Sequence, residues 1–435
     1  MGGQYFRFSL MREISALNEY KDRIHGLAIE AHILELFPSA ISTFMSQYQK
    51  PYFIDPKFYD FAFPFFDGNS EKRWADPLIE RYCIKQLMES HPSGFDITHL
   101  MTSSHFNNII ECALDYQRTR LPQLSTTANA LSMLSGGKEL PPIQPPEFLV
   151  APYVVSADPI SLSTNIAISE KAINLRKKGE KIFLGIALSR ELFTNPKQLD
   201  IVLSKYARIN PDGFLIWAID FRENGEDSTV LEQFEKLCHT LRRNGKIEVI
   251  NLFGGFYSTI LCARRFLSGV TQGVGISEHR DPYIVASGWR KKYYLDIPHQ
   301  MIDTEQASDL SEFSREIFFG CTCKNCSEIK IPVDMKVLQL ACHFLESRIR
   351  EFELASNAGS IQEIIDRLKK EAELLRTTNA NAIVNKGKDA KKDDTAVEEI
   401  DQIKKSLGSK AVKFSERLDI WVNRLMELKE KDWIK

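Results

Sequence analysis

The chain has 435 residues, which is too long for one small domain and suits a barrel with one appended element. Apolar residues make up 43% of the chain and charged residues 26%, which is the balance of an ordinary globular protein. The formal net charge is −2, so the overall charge gives no reason to expect nucleic-acid binding. Such binding would need a local basic face.

The N-terminal segment, residues 1–50, acquires charges early and lacks the long apolar core of a secretion signal. We predict a helical lead-in over this segment. No run of eighteen apolar residues occurs in the sequence, and the pattern therefore predicts no membrane span. We expect a cytoplasmic protein without a membrane partner.

Residues 51–316 alternate short apolar runs with helix-like segments. The clearest runs are residues 51–55, 181–188, 214–219 and 247–253, and they are apolar on both faces. Strands of a parallel sheet that is covered on both sides have this composition. At least four consecutive strand–helix units, with no G-x-G-x-x-G motif after any strand, favour a (β/α)8 TIM barrel of the α/β class over a doubly wound dinucleotide-binding sheet.

The C-terminal part of the chain has a different composition. Residues 317–376 combine a cysteine cluster with helix-like segments. Residues 377–395 are rich in Asn, Lys and Asp, which indicates a flexible linker. Residues 396–435 place apolar side chains at helical spacing and predict an amphipathic helix, packed either on the barrel or on a partner. In the second case we expect a homodimer or a partner protein.

Three cysteines, Cys321, Cys323 and Cys326, form a C-x-C-x2-C cluster. A closed zinc site needs four donors, and the candidates for the fourth are the neighbours Cys342 and His343 on a predicted helix. Adjacent helical residues point about 100° apart, so that only one of the two binds, and we predict His343. With four protein ligands the Zn2+ site would be structural. Buried free thiols are predicted for the other cysteines, which have apolar neighbours: Cys83, Cys112, Cys238 and Cys262.

A C-x-C-x2-C cluster followed by a helical histidine resembles the zinc knuckle of the tRNA-guanine transglycosylase family, whose fold is a (β/α) barrel. The resemblance covers mainly residues 147–355. The strand that contains Gly185 is similar to the family strand whose loop shapes the base pocket. Gly254 and Gly255 follow a strand that looks like the family's later strand with its Gly-rich turn. The resemblance implies that these three glycines lie at the substrate.

Three chemical elements of the family are altered. The segment from Gly269 to Arg280 resembles the one that carries the family's nucleophilic aspartate, and it implies that Arg280 contacts the substrate. The position of that aspartate is Val274, which cannot attack an anomeric carbon. The Asp-Ser-Gly-Gly of the family's first strand is replaced by residues 55–58 (DPKF), which keep the aspartate and lose the glycines. A Gln-Gly pair is replaced by residues 188–189 (Leu-Ser).

Catalytic side chains of a barrel lie at the C-terminal ends of its strands. Base exchange by the family's route needs one carboxylate as nucleophile and another as general acid/base. The resemblance gives the acid/base role to Asp55, and Asp220 or Asp281 would then be a relocated nucleophile. Trp217 is a candidate for stacking on a base. The structural alternatives are helix caps and turns for the aspartates and the core for the tryptophan.

Two functions are compatible with these residues. The first is a divergent transglycosylase that exchanges guanine for a guanine or deazaguanine base in tRNA or DNA. The second is an inactive barrel that serves as a nucleic-acid-binding or assembly subunit. Asp55 favours the first and Val274 the second. Residues 289–294 (WRKKYY) are the predicted contact with nucleic acid, and a solvated loop is the alternative for them.

Overall fold

The computed structural model describes residues 2–8, 11–62, 75–90, 94–134, 136–243, 245–274, 291–313, 321–328, 331–384 and 394–434. Within these ranges, no helix combines the length and the apolar character that a membrane crossing requires. The predictions made for Arg280 and Asp281, and for residues 385–393 of the linker, concern residues outside the described ranges.

In the described part of the chain, nine parallel strands form one sheet and two strands form an antiparallel hairpin. The strands of the sheet are β1 (Gly3–Phe8), β2 (Gly26–Glu30), β3 (Tyr52–Asp55), β4 (Leu149–Val150), β5 (Val155–Ser156), β6 (Ile182–Leu188), β7 (Gly213–Ala218), β8 (Glu248–Asn251) and β9 (Gly269–Gly273). The hairpin consists of β10 (Lys292–Leu295) and β11 (Gln300–Asp303).

The sheet closes almost completely into a barrel. Strands β4 and β5 both pair with β6 at successive registers, and they act as one strand interrupted around Pro152, which has no N–H to donate. The sheet thus has eight strand positions in chain order, and β9 pairs back onto β1. The backbone N–H of Glu147 bridges the gap between β3 and β4 by donating to the carbonyl of Tyr52 at 2.8 Å. This confirms the predicted α/β class and its barrel-like parallel sheet.

Helices connect and cover the strands. They are α1 (Met11–Glu19), α2 (Ala31–Leu36), α3 (Pro38–Tyr48), α4 (Ala75–Arg81), α5 (Lys85–Ser90), α6 (Ile97–Thr102), α7 (Phe106–Leu134), α8 (Pro159–Asn174), α9 (Arg190–Thr194), α10 (Pro196–Tyr206), α11 (Ser228–Arg242), α12 (Phe256–Ala263), α13 (Thr304–Phe313), α14 (Lys324–Glu328), α15 (Val337–Asn357), α16 (Ile361–Val384) and α17 (Asp394–Glu430).

Apolar side chains fill both faces of the strands. On β7, Phe214 and Ile216 belong to the outer core between strands and helices, whereas Leu215 and Trp217 belong to the core inside the barrel. This alternation is the period of two that any strand imposes, and here both faces are buried. Inside the barrel, Phe148 stacks on Phe183 with ring centroids 3.8 Å apart. The barrel interior is therefore a packed core rather than a channel.

The barrel begins earlier than the predicted boundary at residue 51. Segment 1–50, which we expected to be a helical lead-in, contains α1 to α3 but also β1 and β2, the first two strands of the barrel. These strands escaped the sequence pattern because both are short and carry polar residues, such as Gln4 and Arg7 on β1. The pairing of β1 with β9 in the folded protein stabilises a strand that the local sequence pattern does not indicate.

The predicted linker, residues 377–395, is helical at its start, because α16 continues to Val384. No Gly or Pro interrupts residues 377–384, so the sequence has no signal that ends the helix there. The predicted amphipathic helix, residues 396–435, corresponds to α17. Its apolar face packs inside the chain, since Trp421 is 1% exposed and donates to the carbonyl of Glu223 at 3.1 Å. Among the described residues, the helix packs on the barrel, which is one of the two locations predicted for it.

The hairpin β10–β11 is fixed to the helical layer by His299. The two ring nitrogens of His299 lie 2.6 Å from Glu351 on α15 and 2.9 Å from Glu371 on α16. The ring also stacks on Phe256 with centroids 3.6 Å apart. Burial lowers the pKa of His299, but Glu371 and Glu351 outweigh it and raise the pKa to about 9. A charged histidine between two carboxylates thus holds the hairpin beside the barrel.

Two of the four cysteines predicted as free thiols are paired instead. Cys83, which follows α4, forms a disulfide with Cys112 on α7. They are 29 residues apart in sequence, and only the packing of these helices brings them together. Cys238 and Cys262 are free and buried, as predicted.

Candidate metal centre and barrel mouth

The four predicted metal ligands come together in one buried cluster. Cys321 and Cys323 precede the short helix α14, Cys326 lies within it, and His343 projects from α15. The four ligand atoms all lie within 4.8 Å of one another. The Nδ1 atom of His343 is 3.2 Å from Sγ of Cys326 and 3.6 Å from Sγ of Cys323. This three-cysteine, one-histidine cluster is able to hold a metal ion.

The other side of the His343 ring is also held. Its Nε2 atom is 2.8 Å from the backbone carbonyl of Tyr294, an acceptor, so Nε2 carries the proton. In that tautomer the lone pair of Nδ1 faces the thiols, which is the usual support for a metal-binding histidine. The ring of Tyr293 stacks on His343 at 4.2 Å, and its hydroxyl lies 3.2 Å from Sγ of Cys326. The hairpin therefore orients the ligands of the cluster.

Cys342, the alternative fourth ligand, lies outside the cluster. Its Sγ donates to a carboxylate oxygen of Glu19 at 3.3 Å, on helix α1. Burial, followed by the hydrogen bond to Glu19 and then by the charge of Glu19, raises the pKa of Cys342 to about 12, which disfavours the thiolate that a metal needs. Within the cluster, hydrogen bonds between the thiols lower the pKa of Cys323 and raise that of Cys326, so the three thiols share their protons. The geometry thus selects His343 over Cys342.

Asp55, the predicted acid/base residue, ends strand β3 and is fully buried. Its Oδ1 accepts hydrogen bonds from the hydroxyl of Tyr153 and from the backbone N–H of Lys57, both at 3.0 Å. Among the described residues, Oδ2 has no hydrogen-bond partner. Burial, and then the negative charge of Glu30, raise the pKa of Asp55 to about 6. A carboxyl group with this pKa exchanges protons readily near neutral pH.

Glu30, at the end of β2, was not predicted from the sequence. Its carboxylate lies 3.4 Å from the guanidinium of Arg7, 3.3 Å from the ammonium of Lys57 and 3.3 Å from the ring of His32. Lys57 also pairs with Asp60 at 2.9 Å. We call Arg7, Glu30, Asp55, Lys57 and Asp60 the mouth cluster. One signal was available, because the run GLAIE ends in an acid just as the run YFID does.

The other predicted catalytic aspartate within the described residues, Asp220, lies apart from the mouth cluster. It follows β7 with a φ of 55° and lies in the left-handed region. Its side chain is 41% exposed and pairs with Arg222 at 3.4 Å. No hydrogen bond or ion pair links it to Asp55 within the described part of the chain. Asp281 and Arg280 lie outside the described residues.

The predicted substrate-binding residues lie in packed surroundings. A Cβ atom on Gly185 would come within 2.2 Å of the Tyr153 ring, and one on Gly254 within 2.2 Å of Val270. These two glycines make room for side chains of this chain. Gly255 is the N-cap residue of α12. Trp217 is 1% exposed inside the barrel, so a base could stack on it only after the interior opened.

Neither of two comparisons with known proteins finds a match: no family model matches the chain, and neither does any curated protein. The fold and the cluster define the class of this protein as an α/β barrel with a three-cysteine, one-histidine cluster that could hold a metal ion. The resemblance to the tRNA-guanine transglycosylase family therefore stays a prediction from the sequence.

Proposed function

We propose that the protein is a zinc-containing barrel that exchanges a guanine or deazaguanine base in tRNA or DNA, with Asp55 as the general acid/base. The observation that carries this proposal is the carboxyl group of Asp55. It is buried at the C-terminal end of a barrel strand, where barrel enzymes place their catalytic groups, and one of its oxygens has no partner among the described residues. A group with a strongly perturbed pKa in such a place is a candidate for acid–base chemistry.

In the proposed reaction, a carboxylate attacks the anomeric carbon of the sugar, and the electron pair of the glycosidic bond leaves with the base. Protonated Asp55 donates its proton to the departing base. The incoming base then displaces the carboxylate and returns a proton to Asp55. Glu30 is a positioning residue, because its negative charge raises the pKa of Asp55. Asp220 and Asp281 remain the candidate nucleophiles.

Zn2+ is the metal that we propose for the cluster. Three thiols and one imidazole match the donor set of structural zinc sites, and four protein donors leave no position for a reactive water. The ion would fix the segment around Cys321 to helix α15 and to the hairpin. Metal analysis of protein purified without added metal should give one zinc per chain. Another metal in stoichiometric amount would contradict this assignment.

The exchange reaction is tested with labelled guanine, offered together with tRNA and, separately, with duplex DNA. We expect incorporation into one of them by the wild type and a loss of at least 100-fold in Asp55→Asn, since general acid–base catalysis typically contributes roughly 100- to 10,000-fold. Asp158→Asn is the matched control, because Asp158 caps α8 through its side-chain oxygen and Asn keeps that cap. Incorporation that survives unchanged in Asp55→Asn removes Asp55 from the mechanism.

A second candidate function is a barrel without catalytic activity that binds nucleic acid or serves in an assembly. Val274 favours it, because this residue occupies the place of the family's nucleophile and is 1% exposed. The packing of Tyr153 over Gly185 also favours it, since the room that the family leaves for a base is filled. Oligonucleotide binding by the wild type without incorporation into either substrate would support this second function.

A further inference from the structure

A polar cavity opens at the C-terminal end of strands β6 and β7. The proposed reaction gives a role to one of its lining residues, the candidate nucleophile Asp220, and none to its cations. Its volume is about 510 Å³. The lining comes from the segments after β6 and β7, from the hairpin β10–β11 and from α17. Its charged side chains are four cations and two carboxylates: Arg190, Arg222, Lys292, Arg417, Asp220 and Glu226.

The two carboxylates are engaged by the arginines on the barrel side. Glu226 accepts a bidentate pair of hydrogen bonds from Arg190, both at 2.8 Å, and its side chain is 7% exposed. Asp220 lies 3.4 Å from Arg222. These pairs neutralise four of the six charges, and the positive charge that remains belongs to Lys292 and Arg417.

Neither Arg417 nor Lys292 forms an ion pair among the described residues, although Asp303 is opposite Lys292 in the hairpin. The half-buried guanidinium of Arg417 donates to the amide oxygen of Gln300 at 3.1 Å, and the same oxygen accepts from Asn224 at 3.2 Å. An amide oxygen orients a guanidinium but does not compensate its charge. A cation that is partly removed from water without a counter-charge is costly, and a bound anion would recover that cost.

We propose that this cavity is a phosphate-binding subsite that takes a backbone phosphate of a nucleic acid. The guanidinium fork of Arg417 suits the oxygens of a phosphate, and Lys292 adds a second positive charge. The cavity volume of about 510 Å³ leaves room for a phosphate with its attached sugar. It lies at the same end of the barrel as Asp55, because both follow the C-terminal ends of parallel strands. The inference rests on the proposed function for the identity of the ligand.

The test measures binding of a labelled single-stranded 12-mer of DNA, and of the RNA of the same sequence, by fluorescence anisotropy at several salt concentrations. The variant Arg417→Gln/Lys292→Gln removes both uncompensated cations. The variant Lys197→Gln/Arg208→Gln is its matched control, because it removes one lysine and one arginine that are exposed on and after α10. Metal content and circular dichroism check that both variants fold.

We expect the cavity variant to weaken the binding of one oligonucleotide at least tenfold. The slope of log K against log salt should become shallower by about 0.7, which is the value for one phosphate contact on a single strand. The control should change neither quantity by a comparable amount. Arg417→Lys, which keeps the charge and loses the fork, should give an intermediate affinity.

Three results would overturn the inference. The first is an equal loss in both double variants, which would assign the binding to general charge. The second is unchanged oligonucleotide binding while guanosine monophosphate or inorganic phosphate binds less well, which would assign the cavity to a free phosphate. The third is that the wild type binds neither oligonucleotide. The binding assay does not depend on base exchange. A protein that binds an oligonucleotide through this cavity but exchanges no base would contradict the proposed reaction and would still support the phosphate subsite.

Discussion

The metal centre and the mouth cluster are both buried and polar, but they are assembled from different parts of the chain. The metal ligands lie within residues 321–343, and three of them share one turn of chain. The mouth cluster draws on the ends of β1, β2 and β3, and Tyr153, which donates to Asp55, comes from beyond β4. A metal site can be encoded locally, whereas the charges at the mouth meet only when the barrel closes.

The two regions also differ in how their charges are balanced. Among the described residues, the carboxylates of Glu30 and Asp60 in the mouth cluster pair with the cations of Arg7 and Lys57. The metal centre concentrates three thiols around one imidazole and needs an external cation to balance them as thiolates. Loss of the ion should therefore disturb the metal centre more than the loss of any one charge disturbs the mouth.

The largest effect is expected from removal of the metal, by Cys323→Ser or by a strong chelator. Structural zinc contributes on the order of 10 kcal/mol of binding free energy in small zinc-binding peptides, and that free energy supports folding. We expect loss of stoichiometric metal and a large decrease of the melting temperature. Metal analysis measures the first change and circular dichroism the second. A metal-free protein with an unchanged melting temperature would show that the cluster is not a structural metal site, and it would contradict the family resemblance that depends on that site.

The second effect is expected from Glu30→Gln. This change removes a carboxylate that is paired with Arg7 and Lys57 inside the barrel, and breaking a buried ion pair costs roughly 3–5 kcal/mol. The free energy of unfolding, measured in urea, should decrease by that amount. Glu248→Gln is the control, because its pair with Lys181 is exposed and should be worth at most about 1 kcal/mol. An equal decrease in the free energy of unfolding of the two variants would show that burial does not strengthen the ion pairs of the mouth cluster.

The same contrast explains what the sequence could predict. The strands at 181–188 and 214–219 are apolar on both faces, so the sequence pattern alone predicts a parallel sheet that is covered on both sides. The four residues of the candidate metal cluster could also be predicted, because they lie within a short stretch of the chain. Strands β1 and β2 were missed, since a five- or six-residue strand with polar positions is recognised only by its partners.

The side chains that meet over long distances could not be predicted. Cys83 and Cys112 look like separate buried thiols until α7 packs beside the end of α4. Glu30 and Lys57 are likewise unremarkable charges in sequence, and their pairing depends on β2 and β3 being neighbours in the barrel. The docking of Trp421 against the loop after β7 adds a third case, in which the C-terminal helix finds a partner almost 200 residues earlier in the chain.

A third effect concerns Asp55 and depends on pH. Its pKa is raised from 3.8 to about 6, so the folded state binds a proton more tightly than the unfolded state. The stability that this provides is present below pH 3.8 and is lost as the pH rises through 6, where the buried carboxylate must ionise. Asp55→Asn should therefore raise the free energy of unfolding, relative to the wild type, by about 3 kcal/mol at pH 8 and by about half of that at pH 5.

Urea unfolding of the wild type and Asp55→Asn at both pH values measures this difference, and the metal centre is common to the two proteins. The asparagine can keep the hydrogen bonds from Tyr153 and Lys57 through its side-chain oxygen. A difference that does not change with pH would show that Asp55 has an ordinary pKa, and the proposed acid/base role would lose its support.

The smallest effect is expected at Cys342, the neighbour of a metal ligand. Its Sγ faces Glu19 rather than the cluster, and a serine hydroxyl can donate to the same carboxylate. Cys342→Ser should keep one metal ion per chain and change the free energy of unfolding by at most about 1 kcal/mol. Metal analysis beside Cys323→Ser makes the comparison. If Cys342→Ser lost its metal as well, the fourth ligand would be Cys342, and the hydrogen bond from His343 to Tyr294 would hold a histidine of the core rather than a ligand.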